Sequence, residues 1–387
     1  MPQMIPDGQV LFYAMWRLLI GCFVCFCLTH AVGVAQSVEA IQQEIQALRA
    51  RLTEMEALKA RLEQLEAQLA RLQPSPASAP VRVTGYLQFR YLHDTSLAQD
   101  SDNLERRPAR DAFITRRARV DVIARPIPNT LFRLNLDAGS GTAQIRDVFV
   151  ERSLAEGHLT VGLFRVPLLE EVRESSTDRL FPERTQMANS LFPTARDLGL
   201  AWRRPLSPQT TLTVGLFSGQ RTVEGQASVT SRKSVLSRLD WEPTPAVHLW
   251  AGWMEGEGRR DYGGSVGLRN HPRRRAVLGA EWNPSPQWSL RAEGITGLDA
   301  NLETPTSAEV EGWYAQLIYR VPDTPLIFYA RRDDYDPNTQ RGGDYFQRYG
   351  LGMAYQIDSA TRLSLTWEQE QAPVRSELWT TQLQVQF

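Results

Sequence analysis

The chain has 387 residues, and its 43 Lys and Arg against 44 Asp and Glu give a formal net charge of −1. That balance excludes the basic footprint of a nucleic-acid binder, while the length allows two domains or one large β-domain. All three cysteines, Cys22, Cys25 and Cys27, lie near the start, which excludes a disulfide-stapled scaffold for the remainder.

The first segment, "MWRLLIGCFVCFCLTHAVGVAQS", places Arg17 before an apolar run that ends in small residues at Ala35. It reads as a secretory signal peptide over 1–35, with either Met1 or Met15 as the start. The run is short for a spanning helix and His30 interrupts it.

A second pattern follows. Apolar residues at Val38, Ile41, Ile45, Leu48, Leu52, Met55, Leu58, Leu62, Leu65, Leu69 and Leu72 recur in steps of three and four. This is a coiled-coil seam within 36–73, with one three-residue slip between Leu52 and Met55. No buried Asn forces a dimer, so a parallel trimer is open. Helical throughout, 38–72 would span about 50 Å, enough to reach a cell wall. "QPSPASAP" then breaks the helix, and 74–80 forms a stiff linker.

From Val81 the period becomes two. "VRVTGYLQFRYL", "ARVDVIA", "TLTVGLF" and "TRLSLTW" are typical segments, each apolar on one face and polar on the other. Short turn-rich links recur at 125–130, 153–158, 204–209, 242–246, 283–287, 321–325 and 358–360. Longer polar connections lie between them, including 93–111, 166–195, 219–231, 256–273, 297–308, 333–343 and 370–376. Tight turns alternating with long loops are the signature of an up-and-down transmembrane barrel. Seven short turns, each flanked by two strands, plus a first and a last strand give about sixteen antiparallel strands over 81–387.

A soluble sandwich is the competing fold. Against it stand the strongly apolar outward faces Leu198, Leu200, Trp202 and Leu363, Leu365, Trp367, with Trp241, Trp282 and Trp288 beside short turns. Indole rings suit headgroup depth. The opposite faces carry Arg, Gln and carboxylates, a lining suited to water. The final "QLQVQF" is one more such ribbon, expected to close the cylinder and leave no open edge. An outer-membrane barrel in contact with lipid follows, with the coil in the periplasm.

"AFITRRARVDV" (Ala112 to Val122), "LTVGLFRVPLLEE" (Leu159 to Glu171) and "LFPERTQMANSLFPTARDLGLAW" (Leu180 to Trp202) resemble segments of the phosphate-selective porin O/P family. The resemblance implies a homotrimeric, anion-selective outer-membrane porin whose third external loop folds into the barrel. A related trimeric group with a similar coil favours dicarboxylates. Loop 166–195 also has its own reason to pack on a wall: Leu168, Leu169, Leu180, Phe181 and Phe192 are anchors among Glu170, Glu171, Ser175, Ser176, Glu183 and Arg184.

The basic residues are nearly all arginine, with Lys59 and Lys233 the exceptions. Guanidinium is permanently charged and forks onto carboxylates and phosphates. Alternation points Arg90, Arg117, Arg119 and Arg133 inward as a basic patch, and Arg184 and Arg196 join them as candidate solute-binding residues at the constriction. Arg203, Arg238, Arg291, Arg348 and Arg362 are candidates elsewhere on the wall. Carboxylates at Asp121, Asp137, Asp147, Asp197, Asp240 and Glu293 share the lumen, so any one arginine is expected in a structural ion pair first. The resemblance implies a constriction lysine in the phosphate-specific members that this loop lacks, which favours a broader pore for phosphate or similar small anions.

Two other functions are weighed. A barrel enzyme would need Ser, His and a carboxylate to converge, and His93–Asp94 is the one suggestive pair. A structural tether would use the coil alone. No metal spacing or nucleotide fingerprint is present, and "GEGRRDYGG" (Gly256 to Gly264) is not followed by a helix, so no cofactor and no metal are expected.

Overall fold

The computed structural model describes residues 49, 55, 58, 59, 61 and 81–387, apart from 95–110, 140, 155, 220–231, 264–265, 302 and 372–374. The expected leader, the linker and most of the expected coiled coil lie outside the described residues. Within the coil segment Arg49, Met55, Leu58, Lys59 and Arg61 are helical and exposed. The chain divides into two units, 1–75 and 76–387.

The second unit is a closed antiparallel barrel of sixteen strands in chain order. The first eight are β1 (Arg82–Asp94), β2 (Asp111–Ile127), β3 (Thr130–Asp137), β4 (Gln144–Leu154), β5 (Gly157–Arg165), β6 (Arg196–Ser207), β7 (Thr210–Phe217) and β8 (Ser234–Thr244). The second eight are β9 (Val247–Asp261), β10 (Leu268–Ser285), β11 (Trp288–Ala300), β12 (Ser307–Arg320), β13 (Leu326–Asp336), β14 (Phe346–Gln356), β15 (Thr361–Gln371) and β16 (Arg375–Gln386). All seven short links are turns at one end. Pro and Asn shape them: Asn129 adopts φ 59°, a conformation its short side chain tolerates.

Closure comes from β16 pairing with β1, from Tyr86 opposite Gln386 to Asp94 opposite Leu378. Gly85 and Phe387 exchange backbone hydrogen bonds of 3.0 Å in both directions, so the last residue completes the ladder. No strand edge is left unpaired, the condition for a sheet in lipid. The outer face is apolar as expected. Leu198, Leu200, Leu216, Leu363 and Leu365 are exposed, as are Trp241, Trp282 and Trp288 beside the short turns.

Three differences from simple alternation matter. The polar stretch 256–273 is mostly strand, since β9 and β10 run on to Asp261 and from Leu268 and pair along that length. Both faces of that extension are polar, so it carries no alternation and reads as a loop. A further connection at 138–143 joins β3 to β4 and completes the loop end. Finally, two bulges interrupt the ladders away from the short turns. Gln88 pairs with Arg117 and Phe89 with Thr115, leaving Arg116 as the extra residue. Asn135 pairs with Asp147 and Leu136 with Ile145, leaving Arg146 as the extra residue.

Those bulges have a physical cause in the sequence. Strict alternation would send one member of Arg116–Arg117, and of Arg146–Asp147, into lipid. An exposed arginine at mid-membrane costs about 2–4 kcal/mol. A bulge lets two successive residues aim inward and removes that cost.

Candidate functional site

The long connection 166–195 enters the barrel and packs on its inner wall. Its base is closed by Val166 donating to the Ala195 carbonyl at 3.0 Å. Two short helices, α1 (Glu170–Arg173) and α2 (Gln186–Leu191), form its body. Leu168, Leu169, Val172, Met187, Ala188 and Leu191 are buried against Trp250, Met254, Val277, Ile295, Val310, Tyr314 and Phe346 on the inner wall of β9–β12 and β14. Fully burying each large aliphatic side chain is worth roughly 1.5–3 kcal/mol, so this patch alone can hold the loop. Glycines make room beneath it: a Cβ at Gly252 would meet Leu168, at Gly312 Met187, and at Gly350 Phe181.

Polar contacts fix the orientation. The Glu293 carboxylate accepts from the Glu170 backbone N–H at 2.7 Å and from Trp250 Nε1 at 2.8 Å. It thus satisfies a donor that α1 leaves open at its N-terminus. Glu171 accepts from Thr185 N at 3.0 Å and Oγ1 at 2.6 Å, while Asp333 accepts from Gln186 N at 3.2 Å. Wall arginines donate to loop carbonyls: Arg238 to Leu168 at 2.7 Å, Arg348 to Arg184 at 2.8 Å, and Arg362 to Thr177 at 2.9 Å. Arg238, Arg348 and Arg362 therefore hold the loop. Arg291 lies between Glu281 and Glu174, and Arg203 is exposed on its strand.

On the opposite side, between the loop and β2–β4, a cavity of about 170 Å³ remains. Its charged lining is Arg116, Arg117, Arg119, Arg146, Arg179 and Arg184 against Asp137 and Glu183, with Gln144, Ser176, Asn189 and Pro193 completing it. Six guanidiniums face two carboxylates. The chain carries a net charge of only −1, so this is local segregation of charge beside the infolded loop.

The six candidate residues fall into three groups. Arg117, Arg119 and Arg184 line this cavity. Arg90 is buried beneath the loop, donating to Glu183 at 2.7 Å, to Gln382 at 2.7 Å and to the Pro182 carbonyl at 2.6 Å. Arg133 and Arg196 fork onto wall carboxylates, Arg133 onto Asp121 and Arg196 onto Asp147 at 2.7 and 3.0 Å. Arg119 combines both roles, donating to Asp137 at 2.8 Å while facing the cavity.

Alternation missed Arg116 and Arg146, because both sit at bulges, and it missed Arg179, which has no strand period to follow. The signal for the first two was present as adjacent charges on a membrane strand. For Arg179 no sequence signal exists.

Glu183 organises the centre of the site. Its Oε1 accepts from Arg90 and from Arg116 Nε at 2.6 Å, and its Oε2 accepts from Arg116 Nη2 at 3.1 Å and Arg117 Nη2 at 3.2 Å. Burial alone would push this carboxyl up, but the charges of Arg117, Arg116 and Arg90 outweigh it. The carboxyl is held well below the usual glutamate range. Its 30 % exposure is to the cavity it lines. Arg184 is pushed well below the usual arginine range, by burial first and then by the charge of Arg179. The His93–Asp94 pair is split: His93 is exposed on the outer face beside Asp111, and Asp94 is buried.

The closed barrel matches those of solved outer-membrane proteins. The fold is porin-like. The anion-selective porin from Comamonas acidovorans superposes with a TM-score of 0.60 at 13% identity, covering 80% of this chain and 100% of that one. The outer membrane channel DcaP of Acinetobacter baumannii gives 0.60 at 10% identity, covering 81% and 99%. Salmonella typhi OmpF, in complex with daunomycin, gives 0.61 at 12% identity, covering 81% and 99%. No protein-family model matches, and no curated protein sequence matches. At these identities the likeness is one of fold.

Proposed function

We propose that the chain is an outer-membrane porin that passes small anions by passive diffusion, with oxyanions such as phosphate as the preferred class. The observation that carries this reading is the six-to-two excess of guanidinium over carboxylate around the cavity left by loop 166–195. A ring of fixed cations attracts anions and replaces part of their hydration with hydrogen bonds. The arginine fork fits two oxygens of a phosphate or carboxylate at once, which distinguishes such solutes from chloride. The lysine-free loop suits broad oxyanion passage rather than strict phosphate selection. A homotrimer with its coil in the periplasm completes the proposal; the Vibrio cholerae OmpT of the same fold has been solved in a trimer form.

Reversal potential in planar bilayers under a potassium chloride gradient tests the reading. The expected sign is that of anion selectivity, with chloride current reduced by added inorganic phosphate. Cation selectivity, or no conductance, would contradict it.

A further inference from the structure

The cavity holds two guanidinium environments that differ in one respect. Arg90, Arg116 and Arg117 share the Glu183 carboxylate. Arg179 is 4% exposed, and its Nε, Nη1 and Nη2 are all buried without a hydrogen-bond partner. Its backbone carbonyl is engaged by Arg362 Nη2 at 3.0 Å, which fixes the main chain and aims the guanidinium at the cavity it lines. Glu174 is near enough to interact with its charge, but no acceptor meets its three nitrogens, and buried donors without acceptors are destabilising. Arg184 on the same lining donates to the Glu171 carbonyl at 3.2 Å. One anion position in this field is therefore filled by the protein's own carboxylate, and the neighbouring one is not.

We propose that Glu183 is a tethered counter-anion that sets how tightly the passage holds a passing oxyanion, and that Arg179 supplies the adjoining position where that oxyanion docks. This rests on the anion-porin reading above and assigns its tuning residues. An ion arriving at Arg179 and Arg184 meets Arg116 and Arg117 already satisfied, so it is attracted but not trapped. Conduction requires this compromise, because a site must be favourable enough to enter and weak enough to leave. Glu183 keeps its charge at neutral pH because three guanidiniums hold it ionised. A two-oxygen fork geometry selects the solute class: oxyanions such as phosphate gain paired hydrogen bonds at Arg179, while chloride gains charge attraction alone.

Single-channel conductance measured against inorganic phosphate concentration tests the device, using the full chain and two variants with opposite expected signs. Glu183→Gln frees three guanidiniums for the solute. It should lower the half-saturating phosphate concentration about tenfold, one charge-assisted hydrogen bond's worth, and reduce the plateau current. Arg179→Gln should raise the half-saturating concentration by about the same factor and leave the Glu183 contacts in place. Intact loop packing is checked in each by resistance of the folded barrel to dodecyl sulfate before heating. Should Glu183→Gln displace the loop, Arg179→Gln still decides the matter. If either folded variant keeps the wild-type phosphate saturation, the proposal is overturned. A wild-type channel that prefers cations would instead sink the underlying porin reading, so the two failures are separable.

Discussion

The two sides of the lumen hold different groups against the loop. Along β9–β14 an apolar patch of Trp250, Met254, Val277, Ile295, Val310, Tyr314 and Phe346 buries one side of the loop as a protein core would, and paired charges such as Glu293, Arg331 and Asp333 share that wall. Along β2–β4 the inward residues are charged, and the space beside them stays open. The comparison shows how charge is segregated inside a barrel whose chain carries almost no net charge. An apolar patch pins the loop on one side, and on the proposed reading solute passes on the other, where six guanidiniums face two carboxylates.

The largest expected effect comes from breaking the pinned half. Leu169→Asp places an unpaired charge in the buried cluster, where the penalty is several kcal/mol. The loop should leave the wall, raising single-channel conductance severalfold and weakening anion preference together. A channel of wild-type conductance would show that the apolar contacts do not hold the loop. A milder change on the same side, Met187→Ala, should cost about 2–5 kcal/mol of stability in denaturant unfolding and leave the reversal potential unaltered.

Breaking the charged half should do the reverse. Arg117→Ala with Arg119→Ala removes two of six lining cations. Reversal potential should move toward zero while stability changes less than in Leu169→Asp. An unchanged reversal potential would mean that these residues serve the fold alone.

The smallest effect sharpens the comparison through pH. The Glu183 carboxyl lies well below the usual glutamate range. Its ion pairs stabilise the loop at every pH above that ordinary range and are lost only as pH falls through the depressed native value. Selectivity and loop packing should therefore stay constant from pH 7 to 5, measured by reversal potential. A marked change over that window would mean Glu183 is not clamped as described.

How much of this was legible in the chain depended on which physical rule each residue obeys. Strands and short turns were legible because period two and Pro-rich links are local signals, as in "RPIPNT" and "NPSPQ". The face assignment worked where one face was polar, as for Gln88 and Arg90 on β1, both buried and inward. It gave no answer where both faces were apolar. Val277 and Leu278 are adjacent and equally hydrophobic, yet Val277 is buried under the loop and Leu278 is exposed outside. Which one faces the lumen depends on a loop a hundred residues away. Arg116 and Arg146 were hidden by assuming regular alternation, although their charged neighbours implied bulges. The ion pairs of Arg133 with Asp121 and Arg196 with Asp147 need the three-dimensional register, which no local pattern encodes.

The claim that solute travels along β2–β4 and not along β9–β14 is tested most directly by thiol accessibility. In a background with Cys22, Cys25 and Cys27 replaced, Gln144→Cys places a thiol on the cavity lining and Ile295→Cys places one beneath the loop. Channel current is then followed during exposure to an anionic or a cationic methanethiosulfonate reagent of similar size. Gln144→Cys should lose current, faster with the anionic reagent, while Ile295→Cys should be unreactive. Faster block by the cationic reagent, or equal reaction at Ile295→Cys, would contradict the account.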